Sequence, residues 1–303
     1  MRTALAALCA ALSIFPGAAL HAEEQPIAVG QISESVHQVV AAVVQAVLVR
    51  LGHEGTVTDA RASELFPLFR EGKIDLLVAA RIPNQHRFYL ERDGDNAIDL
   101  ATLYEGAQLF WAVPDYIPES EVKSISDLAK KKVVGQMDPI VIGTAGGPES
   151  GFRSIEAMRV YGLRKLEYDY RYFPVQNPNA LLDTGPDGYS ALAIAMEQRA
   201  WVVGAVMRPS YLFHSLSLRP LADPKGVLGG ADRTVLIAQR SLLTRLPERT
   251  LAALRRIKFD LENVNELDDL SVRTGVGPRE AARLWMERNK KRVDSWFEAP
   301  AQP

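Results

Sequence analysis

Cysteine is almost missing: the 303-residue chain has one, Cys9. It lies inside the apolar stretch from Ala4 to Phe15, so the remainder of the chain has no thiol. That excludes disulfide staples and thiolate metal sites there, and leaves an ordinary hydrophobic core to hold the fold. Long hydrophobic runs are also absent beyond the first twenty-two residues, where nothing reaches the about 20 apolar residues of a membrane-spanning helix. Neither sign of charge dominates, with 35 Lys and Arg against 37 Asp and Glu and no basic block. Nucleic acid and anionic membranes are therefore not expected partners. His37, His53 and His214 are scattered without metal-ligand spacing, which points to surface or capping places. No Gly-Lys-Ser/Thr P-loop, Gly-x-Ser-x-Gly elbow or His-Glu-x-x-His pair occurs. The expectation is a protein without metal or cofactor, and not an enzyme.

The start of the chain reads as an address. Arg2 precedes the apolar stretch, Pro16-Gly17 breaks it, and small residues lead to Leu20-His21-Ala22. This is the pattern of a secretory signal peptide over residues 1–22, cleaved after Ala22. Leu8, a large residue, stands before Cys9, which argues against a lipid anchor. The expected location is the periplasm.

Beyond it, strands and helices alternate. Pro26 to Gly30 reads as a buried strand, and Val36, Val39, Val40, Val43, Val44, Val47 and Leu48 recur at helical spacing with Gly52 as a stop. Ser35 and Gln38 have the spacing of a capping box. Ala62 to Gly72 reads as helix, Ile74 to Ala80 as an interior strand, Leu109 to Val113 as a strand and Ser124 to Leu128 as a short helix. A glycine-rich stretch from Gly143 to Gly151 leads into a helix ending near Tyr161-Gly162. Ala191 to Arg199 reads as helix, Trp201 to Val206 as strand, and the chain from Glu248 as mostly helix. Such alternation predicts an α/β fold with sheets covered on both faces.

Four stretches in order carry a resemblance. They are Glu71-Gly72-Lys73-Ile74-Asp75-Leu76 with Ala80-Arg81-Ile82-Pro83-Asn84-Gln85-His86; Tyr104-Glu105-Gly106 through Trp111-Ala112-Val113-Pro114; Val206-Met207-Arg208-Pro209-Ser210-Tyr211 with Leu218 to Pro224; and Val264-Asn265-Glu266-Leu267 with Pro278 to Ala282 and Trp285. Together they resemble the OpuAC-type family of ABC importer receptors for glycine betaine, choline and related quaternary amines. The resemblance implies a type II periplasmic-binding fold, two α/β lobes with two crossover strands. Lobe one is expected over 26–112 and 211–300, and lobe two over 113–210. It also implies a monomer that closes on a small solute and delivers it to a permease with a cytoplasmic ATPase. A binding protein docking onto a receptor kinase stands as the alternative, with an enzyme on the same fold behind it.

In that family a box of aromatic faces holds trimethylammonium by cation–π attraction, worth about 0.5–2 kcal/mol per ring. At the matching positions this chain has Arg81 and Met207, with Glu34, Ser35 and Gly147 nearby. Trp111, Trp201, Trp285 and Trp296 fall in apolar strands or the C-terminal helices, as core residues do. Arg81 in place of an aromatic ring repels a quaternary ammonium and suits an acidic group gripped by two donors. The expected ligand residues are Glu34, Ser35, Arg81, His86, Gly147, Ser150, Met207, Arg208 and Tyr211, and the expected ligand is acidic or zwitterionic. Other readings stand beside this one. Arg81 pairing with Glu34 or Glu149 would seal the cleft, His86 would hydrogen-bond structurally instead of touching ligand, and Arg208 would face solvent.

Overall fold

The computed structural model describes residues 25–92, 94–144, 147–173 and 188–298. The expected leader, residues 1–22, lies outside the described residues. In chain order the strands are β1 (Ile27–Ile32), β2 (Gly55–Ala60), β3 (Leu76–Ile82), β4 (Ala97–Pro114), β5 (Met137–Gly143), β6 (Asp169–Tyr172), β7 (Trp201–Arg208), β8 (Leu218–Pro220) and β9 (Asp232–Gln239). The helices are α1 (Ser35–Arg50), α2 (Ala62–Arg70), α3 (Arg87–Leu90), α4 (Lys131–Val134), α5 (Gly147–Val160), α6 (Gly188–Glu197), α7 (Leu212–Ser215), α8 (Arg240–Arg245), α9 (Glu248–Arg256), α10 (Leu261–Thr274), α11 (Gly277–Arg288) and α12 (Lys290–Ser295).

The strands are ordered β2-β1-β3-β9-β4-β7-β5-β6, with β8 on β4. β1 pairs in parallel with β2 and β3, while β9 runs antiparallel between β3 and β4. β5 pairs in parallel with β6 and β7, and β7 is antiparallel to β4. β4, 18 residues long, joins the two halves. Its residues through Ala107 face β9, and from Gln108 onward they face β7. Gly106, at φ +85, stands next to that change of partner, a left-handed turn that glycine adopts without steric cost.

Two main cores follow the two sheets. One gathers α1, the first half of β4 and the C-terminal helices, including Val39, Val43, Tyr104, Leu254 and Trp285. The other gathers Leu109, Trp111, Val113, Met158, Val203, Leu221 and Leu228. Leu109, Trp111 and Val113 thus pack with the middle of the chain, as do Leu221 and Leu228. The expected division put Leu109 and Trp111 with the first lobe, and Leu221 and Leu228 with it too. Packing follows the partner strand, and β8 returns to β4 after α7.

α1 shows why the sequence pattern was clear. Val39, Val40, Val43, Val44 and Val47 are all buried, because the sheet lies on one side and α10 and α11 on the other. Valine is a middling helix former, so burial stabilises this helix more than propensity does. Its start differs from the expectation. Glu34 is the N-cap and Ser35 the first helical residue, with no side-chain cap bond. Gln38 instead donates to Asp59 at the end of β2, at 2.7 Å.

Candidate functional site

Arg81 sits near the end of β3, a strand buried along its whole length. A perfect alternation would put Leu77, Ala79 and Arg81 on one face. The register against β9 slips by one residue between Leu77 and Ala80, and Ala79 has φ +66. This is a β-bulge, which adds a residue and re-aims those that follow. Val78 and Ala79 accordingly both pack in the α1 core, while Ala80 and Ile82 join Leu77 on the opposite face. Arg81 is thereby turned toward the start of α1.

There it is 1 % exposed. One terminal nitrogen, Nη1, donates to Gln85 Oε1 at 3.3 Å and lies 3.9 Å from Glu34 Oε2. Nε and Nη2 have no partner among the described residues. The Glu34 pairing read from the sequence is therefore present but long, and it engages one of the three nitrogens. The Glu149 side chain lies outside the described residues. A buried guanidinium with open donors is costly unless an anion meets it.

The same rung of the sheet carries two more such groups. Arg81 is paired with Thr234 on β9, and Thr234 with Tyr104 on β4. Directly paired residues share a sheet face. Both side chains are buried, and the hydroxyls of Thr234 and Tyr104 have no partner among the described residues.

His37, His86 and Asp268 all lie within reach of the Arg81 charge. His86 N–H donates to the Arg81 carbonyl at 2.8 Å, and Arg81 N–H donates to His86 Nδ1 at 3.0 Å. These two bonds are of the kind that the structural reading of His86 implies. Burial first, and the Arg81 charge second, hold its pKa down to about 3. His37 is also pushed well below its ordinary value, by burial and then by Arg81 and His86. Neither imidazole is charged near neutral pH. Asp268, on α10, accepts Tyr211 N–H at 2.7 Å. Burial raises its pKa to about 6 against the opposing pull of Ser35, Tyr211 N–H and Arg81.

The other lobe meets this cluster through Gln85. Its amide donates to Ser150 Oγ at 3.4 Å, on α5, and to Met207 Sδ at 3.5 Å, on β7. Arg153, one turn along α5, donates to the Asn84 carbonyl at 3.4 Å. Glu34, Ser35, Arg81, His86, Ser150, Met207 and Tyr211 are thus gathered in one region. Gly147 opens α5, while Ala145 and Gly146 of the glycine-rich stretch lie outside the described residues.

Arg208 is not gathered with them. It follows Met207 on β7, so strand alternation turns it to the other face. Its guanidinium carbon lies 4.9 Å from the Phe213 ring centre and 5.3 Å from that of Phe110, a cation–π seat.

The histidines correct another expectation. His37 and His53 are buried, not at the surface, and His53 Nε2 shares a hydrogen bond with Thr250 Oγ1 at 2.8 Å. The His214 side chain lies outside the described residues. All four tryptophans belong to the cores: Trp111 donates to Ser154, Trp285 and Trp296 pack around Phe259, and Trp201 borders the second core. No tryptophan stands over Arg81. Gln85, Tyr104, Thr234, His37 and Asp268 were not read from the sequence as site residues. Gln85 and Tyr104 lay within matching stretches, whereas nothing in the sequence marked Thr234 or Asp268.

The comparisons with known proteins agree with this frame. The profile of the substrate-binding domain of ABC-type glycine betaine transport systems matches residues 25–288. The chain belongs to this family. Lactococcal OpuAC, in its closed form with glycine betaine, superposes with a TM-score of 0.73 at 21% identity, covering 90% of this chain and 99% of that one. The glycine betaine/L-proline-binding protein ProX from Borrelia burgdorferi gives 0.74 at 20% identity, over 90% and 97%. The fold is therefore the type II periplasmic-binding fold. The glycine betaine/carnitine transport binding protein GbuC of Listeria monocytogenes is 31% identical over 107 residues, 35% of each chain. The match thus spans about a third of that relative's length. No group of three metal-ligating side chains and no helix able to cross a membrane occurs among the described residues.

Proposed function

We propose that this member of the family is the periplasmic receptor of an ABC importer and that its solute carries an acidic group seized by Arg81. The observation that carries the reading is a fully buried guanidinium whose Nε and Nη2 lack partners among the described residues. Nε and one terminal nitrogen of an arginine form the two-pronged fork that fits carboxylate, sulfonate or phosphate. The hydroxyls of Tyr104 and Thr234 are further donors on the same rung. Glycine betaine also carries a carboxylate, but its trimethylammonium needs aromatic faces, and the tryptophans are all in the cores.

On this reading the solute enters between the lobes, and Gln85 closes with Ser150 and Met207 over it. Closure excludes water and strengthens each polar contact inside. A permease and its cytoplasmic ATPase would receive the closed form. The test is a thermal-shift screen of the purified protein against betaine, choline, carnitine and a panel of carboxylic, amino, sulfonic and phosphonic acids. A ligand at 100 times its Kd adds about 2.7 kcal/mol to the folded state. Stabilisation by acids and not by choline is expected. Stabilisation by choline alone would overturn the reading.

A further inference from the structure

Unpartnered hydrogen-bond acceptors gather near the Arg81 guanidinium. Asp268 is buried, its Oδ2 accepts Tyr211 N–H at 2.7 Å, and its Oδ1 has no partner among the described residues. It is close enough for the Arg81 charge to act on it. The two are also linked through adjacent residues, because Glu34 reaches Arg81 and Ser35 reaches Asp268. His37 lies one turn into the same helix and stays neutral, so one of its two unpartnered ring nitrogens presents a lone pair. The Glu34 carboxylate completes the set, 3.7 Å from His37 Nδ1.

Acceptors of this kind are satisfied by N–H donors. A quaternary ammonium has none, so placing one here would leave Asp268 Oδ1 and His37 unmatched. An acid without a cation would add a further negative charge beside Asp268 and Glu34, with Arg81 as the one cation named among them. We propose that the solute is a zwitterion of the amino-acid type, with its acidic group on Arg81 and the N–H donors of a primary or secondary ammonium on Asp268. The proposal rests on the Arg81 anchor of the preceding section and adds the chemistry of the opposite end. Sites built to hydrogen-bond a group discriminate strongly against analogues that lack it.

The test is titration calorimetry of the wild-type protein with α-, β- and γ-amino acids, their N-methyl, N,N-dimethyl and N,N,N-trimethyl forms, and the matching acids without nitrogen. For the best-fitting chain length, affinity should fall with each methyl group. The loss from free amine to trimethyl form should be about tenfold or more, as expected for hydrogen bonds to a charged group. The nitrogen-free acid should bind more weakly than the amine. Equal binding of the nitrogen-free acid would overturn the Asp268 assignment and leave the Arg81 anchor standing. Tighter binding of the trimethyl form would also overturn it. Silence across every acid would remove the Arg81 anchor and this inference together. In Asp268→Asn, the preference for amine over trimethyl form should collapse, while the nitrogen-free acid, relieved of a like charge, should bind more tightly than to wild type. If that variant does not fold, the wild-type series alone decides.

Discussion

At the scale of single residues, the Arg81–His86 pair combines the proposed binding group with its support. The two backbone-linked hydrogen bonds between them fix His86 with Nδ1 as acceptor and the proton on Nε2. Its pKa is lowered from 6.5 to about 3, so the folded protein resists protonating a ring that the unfolded chain protonates freely. The sign follows: His86 contributes stability above 6.5, and this is lost as pH falls from there toward about 3. His86→Asn keeps an acceptor on a shorter side chain but removes the titrating ring. Its melting temperature should therefore fall less steeply than wild type over that acid range, measured by calorimetry at a series of pH values. Equal slopes would show that His86 is not the group being protonated. Arg81 and His86 could be singled out in the sequence because they lie in one contiguous stretch with a family counterpart. Thr234, Asp268 and His37 could not, because their burial depends on which strand pairs with β3 and on how α10 crosses α1.

At the scale of elements, the bulge in β3 decides where the charge goes. Ala79 takes a left-handed backbone, at φ +66, with no exposed surface. That conformation costs about 1–2 kcal/mol for an L-residue and more for a β-branched one. Ala79→Val should thus lose about 2 kcal/mol or more in urea unfolding, from backbone strain and overpacking together. Ala79→Gly, free of the strain, should stay within about 1 kcal/mol of wild type and keep its ligand. Full stability of the valine variant would contradict the bulge. The same feature limits what a sequence can reveal. α1 was plain because its seven apolar positions keep one helical period. β4 was visible only from Leu109 onward, because its first half slips register against β9 three times, which breaks the alternation. β9 was missed altogether: Val235 to Ala238 is a short apolar run between polar ends, and no periodicity separates strand from helix there.

At the scale of the whole molecule, Gln85 ties the anchor to the second lobe. Its carbonyl accepts from Arg81 and its amide donates toward Ser150 and Met207. A solute on Arg81 would bear on the same side chain that bridges the lobes, which would couple binding to closure. The family and the fold were legible from four ordered stretches. The proposed ligand chemistry starts from a departure at Arg81 and Met207 that the sequence shows, and the acceptors near Arg81 required the structure. Arg81 as an anion anchor is tested most directly by titration calorimetry of wild type and Arg81→Ala with the best acid from the screen. Loss of a buried charge pair should cost about 2 kcal/mol or more, roughly thirtyfold in Kd, with unchanged folding by circular dichroism. An affinity for the acid that stays within about threefold of wild type, under 1 kcal/mol, would contradict it.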